Sequence, residues 1–287
     1  GIDSVRLKSI VPVFSPQKKV FVMKVDFSGD STSFCSSTLL ALSVLFVLPS
    51  SQIAAQQPGN AYECRYATKA PVIDGVIDDD VWKSAAEVTE FTLPWLGKNA
   101  RPASTPTKAK LLWDKDAIYF SADMVDHDLY AVIKEQDGDL WNNDVFELFF
   151  KPSEQKSGYY EFEVNAQKAI LDIYLPKKGV DARKHFRSEE FHIDLQVQIR
   201  GTLNQHGDTD EGWTVEGKIP WSDFAPTGGA PKAGDEWRFA LCRYDYTMKD
   251  LKNPELSTSA PLKSKSSPDF HLIEDYAPIR FIAAEGK

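Results

Sequence analysis

The chain has 287 residues, 42% of them hydrophobic, and a formal net charge of −9 at pH 7. That length suits one large or two small domains. The acidic balance excludes the Lys/Arg clusters that nucleic acid or an anionic membrane would require; it suits a neutral ligand or a divalent cation, and a monomer is expected.

The N-terminal fifth does not read as fold. Residues 38–48, TLLALSVLFVL, form an uncharged apolar run followed by Pro49, Ser50, Ser51 and the small pair Ala54-Ala55. This is the layout of a secretory signal segment with cleavage near Ala55, and the run is too short to span a bilayer comfortably. Met23-Lys24 offers a start of its own, which would make residues 1–22 an extension; a buried core helix is the competing reading. Residues 1–57 are therefore expected to leave 58–287 as one domain, secreted, periplasmic or on the cell surface. Because 1–57 carries more basic than acidic residues, that domain is more acidic still.

The next element, DDDVWKSAAEV (78–88), is the best helical candidate, with Asp78 or Asp79 as cap and Trp82 as buried anchor. From there alternation dominates. KAKLLW (108–113) and AIYFSADMV (117–125) flank the turn DKD and predict a hairpin. In VFELFF (145–150), Phe146, Leu148 and Phe150 share the core face while Val145, Glu147 and Phe149 point the other way, because strand side chains alternate with a period of two. YYEFEVN (159–165) sets Tyr160, Phe162 and Val164 against Glu161, Glu163 and Asn165. AILDIYLP (169–176), FHIDLQVQIRGTL (191–203), GWTVEGKIPW (212–221) and DEWRFALCRYDY (235–246) complete the series, with Phe191 to Ile199 alternating inward. Trp82, Trp113, Trp213, Trp221 and Trp237 are expected to pack. No repeat or linker divides the exported part. Many short strands and one short helix predict an all-β fold, an antiparallel, jelly-roll-like β-sandwich with one short N-terminal helix.

Cys35 lies in the signal segment. Cys64 and Cys242 lie in strand-like segments, and the sequence leaves open a disulfide or two buried free thiols. Neither has zinc-ligand spacing. P-loop, GxGxxG, HEXXH and GxSxG motifs are absent. Glu147, Glu161, Glu163 and Asp172 on neighbouring strands could form a glycosidase carboxylate pair, although outward acids on strands are usually a wet face. Asp126, Asp137, Asp139 and Asp144 crowd one loop and its shoulders, the oxygen-rich setting that calcium takes. Met124 or Met248 with a histidine could instead ligate haem.

PVIDGVIDDDVWKSA (71–85), LWNNDVFELFF (140–150), YYEFEVNAQ (159–167), GWTVEGKIPW and DFHLIEDYAPIRF (269–281) occur in the order and spacing of family 9 carbohydrate-binding modules. Residues 62–284 resemble that family. The resemblance implies a sugar-binding β-sandwich attached to or working beside secreted polysaccharide-degrading enzymes, with structural calcium and a terminal sugar held between two tryptophans. Trp141 falls at the first of these, and Glu147 and Asn165 at polar contacts to sugar hydroxyls. Glu163 stands where the family often has arginine. The second tryptophan is missing from LSTSAPLKSKSSPDFH (256–271), with Tyr244, Tyr246 or Phe270 as candidate substitutes. The expected ligand set is therefore Trp141, Glu147, Glu163 and Asn165, with carbohydrate as partner and no catalysis.

Overall fold

The strands follow directly from the alternating pattern. The structure, a computed structural model, describes residues 61–185, 191–264 and 267–284; the signal segment, Met23 and the cleavage zone lie outside them. Eleven strands form: β1 (Tyr62–Tyr66), β2 (Thr107–Trp113), β3 (Ala117–Val125), β4 (Val145–Lys151), β5 (Tyr159–Asn165), β6 (Ile170–Leu175), β7 (Asp194–Arg200), β8 (Gly212–Pro220), β9 (Glu236–Asp245), β10 (Glu255–Thr258) and β11 (Ala277–Ile282). They hydrogen-bond in the order β6-β5-β4-β9-β11-β1-β2-β3-β8-β7, with β10 added to β9. The path curls so that its two halves face each other, an all-β sandwich. Pairing is antiparallel except at β1, which runs parallel to both β11 and β2.

The core between the halves is built from the predicted inward faces. Phe146, Leu148 and Phe150 of β4 meet Tyr160, Phe162 and Val164 of β5 and, from the far half, Leu111, Phe120, Met124 and Val215. Phe150, Phe224, Trp221, Trp237 and Phe281 form a chain of edge-on and tilted rings 4.9–6.5 Å apart. Each fully buried ring of this kind contributes about 1.5–3 kcal/mol. Met124 is fully buried in this core and packs there.

Two expectations are corrected. The N-terminal helix is a five-residue 3₁₀ turn, Asp80–Ser84, and no α-helix occurs among the described residues. Trp82 is buried as expected, but what fixes it is a hydrogen bond from its indole Nε1 to Glu216 Oε1 on β8, and side-chain anchoring does not require a full helix. The same Glu216 accepts from the backbone N–H of Asp74 and Gly75 at 3.3 and 3.2 Å. Gly75 has φ +86, and a Cβ there would sit 3.1 Å from backbone and side-chain atoms of β7, so only glycine fits this close approach. Strand β7 is shorter than its alternation suggested, and Ile199 near its end is 38% exposed; it lies at the edge of the sheet, where one flank has no neighbour. The short strand β10 pairs antiparallel with β9, Thr258 opposite Cys242. Of the two readings left open for Cys64 and Cys242, the structure has the free thiols: both are free and buried, in different apolar clusters, and Cys242 Sγ hydrogen-bonds Thr258 Oγ1 at 3.4 Å.

No helix among the described residues is long and apolar enough to cross a membrane.

Candidate functional site: an acid-floored cleft outside the core

The outward face of β4, β5, β6 and β9 is not a wet face. Val145, Phe149, Leu171, Ile173, Ala240 and Cys242 form a second apolar cluster, roofed by Leu93, Trp95, Leu262, Phe270 and Tyr276 from the connecting segments. Every residue of β4 and β5 is consequently buried. Alternation identified the two faces, but only the roofing segments, far away in sequence, decide that both are covered.

The roof leaves a cleft of about 360 Å³. Its floor carries Glu147, Glu161 and Glu163. The strand register explains their convergence: Glu147 lies directly opposite Glu163, and Glu161 is opposite Phe149 in the next same-face row. Glu147 and Glu163 are each 2% exposed, and one carboxyl oxygen of each, Oε2, is buried without a hydrogen-bond partner. Burial, reinforced by Glu161, pushes the Glu147 pKa well above the usual carboxylate range. Burial does the same to Glu163, with Glu147 and Glu161 adding repulsion. Glu161 is raised by burial, against a lowering influence from His271.

Aromatic groups form much of the rest of the lining. Trp141, on the 3₁₀ turn Leu140–Asn142, is half-buried and lines the cleft. Its carbonyl accepts a 2.8 Å hydrogen bond from Tyr246 Oη. The Arg183 guanidinium sits over its ring, 5.6 Å from the centroid, while bonding Asp139 at 2.8 Å. Tyr244 and Phe270 also line the cleft, their rings edge-on at 5.5 Å; Tyr246 stacks behind Tyr244 and does not line it. Phe270 and His271 arrive on the loop before β11, where no tryptophan is present. His271 Nδ1 bonds Tyr159 Oη at 2.9 Å.

Of the four residues expected to meet ligand, the structure brings Trp141, Glu147 and Glu163 to one cleft. Asn165 is elsewhere: it is fully buried and does not line the opening. Its Nδ2 donates to Ile133 O (2.8 Å) and Asn143 Oδ1 (3.3 Å), and its Oδ1 accepts from the N–H of Gln167 and Ala169. Its amide is spent on closing the β5–β6 turn. Asp172 points to the opposite face of its sheet from the three glutamates, so it cannot join them as a catalytic carboxyl.

The four aspartates expected around calcium also separate. Asp126 and Asp144 come together with Asp245, each offering a ligand atom within 4.8 Å of the others. Asp137 and Asp139 do not join: Asp139 pairs with Arg183, and Asp137, at φ +55, turns the chain so that its N–H reaches Ile170 O on β6. The three-aspartate group has its own cation. Arg243 Nη2 lies 3.1 Å from Asp126 and 3.2 Å from Asp245. Asp144 accepts from the N–H of Tyr130 and Tyr246. Burial, then Asp245, raises the Asp126 pKa to about 6, and burial, then Asp126, pushes that of Asp144 well above the usual carboxylate range. The three carboxyls offer oxygen ligands of the kind calcium takes, with Arg243 already among them. Arg243 and Asp245 were missed in the sequence because they sit in RYDY, a strand remote from the acidic loop.

A β-sandwich with an aromatic-lined, polar-floored cleft outside its core is the architecture of a small-ligand-binding module. The chain belongs to the family described as Carbohydrate family 9 binding domain-like, which it matches over residues 73–267. Over 184 residues it is 33% identical to endo-1,4-beta-xylanase A of Thermotoga neapolitana, a match covering 55% of this chain and 16% of the xylanase. Among solved structures it is similar to a candidate carbohydrate-binding protein from Bacteroides uniformis ATCC 8492 (TM-score 0.61, 14% identity, 76% of this chain and 97% of the other). It is also similar to a family 9 carbohydrate-binding module from Caldicellulosiruptor kristjanssonii in complex with cellotriose (TM-score 0.52, 15% identity, 79% and 96%).

Proposed function

We propose that this chain is an exported, non-catalytic carbohydrate-binding protein that takes a sugar of a polysaccharide into the Trp141 cleft and serves carbohydrate breakdown carried out by separate or attached hydrolases. The observation that carries this reading is the juxtaposition of Trp141 with the unpartnered carboxyl oxygens of Glu147 and Glu163. An indole offers a flat apolar surface to the C–H face of a sugar ring, and carboxyl oxygens accept hydrogen bonds from hydroxyls. Phe270 and Tyr244 take the place of the absent second tryptophan. The cellotriose complex of the Caldicellulosiruptor module and the xylanase relative make β-1,4-linked glucans and xylans the first ligands to try.

Calcium at Asp126, Asp144 and Asp245 is part of the same reading. It is structural, tying the Asp126–Tyr130 segment to β9 outside the cleft. Export rests on the apolar run at 38–48 and the small residues up to Ala55. Affinity electrophoresis through gels containing soluble glucans and xylans tests the binding: retardation that disappears in Trp141→Ala supports it, and equal mobility with and without every polysaccharide overturns it.

A further inference from the structure

Ionising the three buried carboxyls at the cleft floor takes more than a neutral sugar supplies. Glu147, Glu161 and Glu163 each present a carboxyl oxygen within 4.8 Å of the other two. Like charges directly opposite on an antiparallel pair are destabilising, and here they are also removed from water, where repulsion is screened least. Elsewhere the same protein handles a buried acid cluster with a guanidinium, as Arg243 does beside Asp126 and Asp245. No such partner serves the glutamates: none of the described side chains lining the cleft is lysine or arginine. Arg183 is outward, on Asp139 and the Trp141 ring, and His271 Nδ1 is engaged with Tyr159. Two carboxyl oxygens, Glu147 Oε2 and Glu163 Oε2, remain buried and unpartnered. Polar atoms in that condition are costly, more so when charged, unless something bonds them.

We infer that the floor of the cleft is a divalent-cation site, with Glu147, Glu161 and Glu163 as protein ligands and an ion open toward the cleft. An all-carboxylate set selects a hard cation, and calcium tolerates the irregular, incomplete protein shell that three side chains offer. The remaining positions on the ion face the space lined by Trp141 and Tyr244, where water or ligand hydroxyls complete the shell. The site is separate from the Asp126–Asp144–Asp245 group and goes beyond the sugar reading: it stands even if no glycan binds.

The test is a calorimetric calcium titration of the full chain after chelator treatment and desalting, repeated with Glu161→Gln, Glu163→Gln and Asp245→Asn. Glutamine keeps the shape and removes unpaired charge, so circular dichroism of both glutamine variants in chelator should match the unchanged protein. The expected result is two bound calcium ions, one of which weakens by about tenfold or more in each glutamine variant, as affinity follows ligand charge, and persists in Asp245→Asn. Isotherms of the two glutamine variants that superimpose on the unchanged protein overturn the proposal. So does glucosamine binding to chelator-treated protein that takes up no calcium, since the charge would then serve a protonated amine. Failure of sugar binding, read separately with cellotriose, leaves the titration result intact.

Discussion

Glu147 and Glu163 face each other across the β4–β5 pair, both buried and each with one carboxyl oxygen unbonded. The fold holds them there at a cost. Their strands are fixed by the inner core on one side and by the Phe149, Phe270 and Tyr276 packing on the other.

Asp172 sets a pH dependence of stability. Burial, then Asp137, raises its pKa to about 7 from an ordinary value of 3.8, and its Oδ1 has no partner. A raised carboxyl contributes stability that is fully present below the unfolded pKa and is lost as pH climbs through the folded one. Stability from this group therefore falls between about pH 4 and pH 7. Asp172→Asn should melt at the temperature of the unchanged protein near pH 4 and above it at pH 8. Equal melting temperatures at both pH values would contradict this.

Trp82 ties the segment 71–85 to β8 through Glu216. Trp82→Phe removes the indole donor, leaves Glu216 Oε1 short of a partner in a buried setting and opens space. The expected cost is about 2–4 kcal/mol, measured by urea unfolding. Because the indole lies in a third apolar cluster away from the cleft, ligand affinity should hold.

Asp144 is a structural hub, with both carboxyl oxygens accepting backbone N–H groups. Asp144→Ala leaves two N–H groups unpaired, a loss of about 2–6 kcal/mol at about 1–3 kcal/mol each. Chelator should also lower the melting temperature of the unchanged protein, and added calcium should restore it by mass action. A melting temperature indifferent to both would remove structural calcium from the account.

Cys64 and Cys242 should behave as inert thiols. Burial raises both pKa values, and the thiolate is the reactive form. Peptide mapping after alkylation without reductant should find both unmodified in folded protein and both modified in guanidinium. A cross-linked Cys64–Cys242 peptide would contradict the structure.

The inner core was legible because period-two alternation names it residue by residue: Phe146, Leu148, Phe150, Tyr160 and Phe162 sit where the pattern puts them. The outer face was not. Glu147 and Glu163 alternate like solvated acids, and what buries them is a roof from Leu93–Trp95 and Phe270–Tyr276, more than 50 residues away along the chain on either side. Trp141 was legible through its place in LWNNDVFELFF. Asn165 misled because its spacing matches a contact position while its amide is spent on the Gln167–Ala169 turn. The acid clusters partitioned unexpectedly for the same reason: Asp245 reaches Asp126 and Asp144 only because β9 pairs with β4, a long-range fact that loop composition does not carry.

The central claim is that Trp141 and the glutamate floor form one carbohydrate site. Calorimetric titration of cellotriose and xylotriose into the full chain, in calcium and beside Trp141→Ala, tests it most directly. The account predicts saturable binding of at least one of them, weakened by about 2 kcal/mol or more, roughly 30-fold, in the variant, as for a buried aromatic anchor. Binding of equal strength in both proteins would contradict it, as would no heat from either sugar.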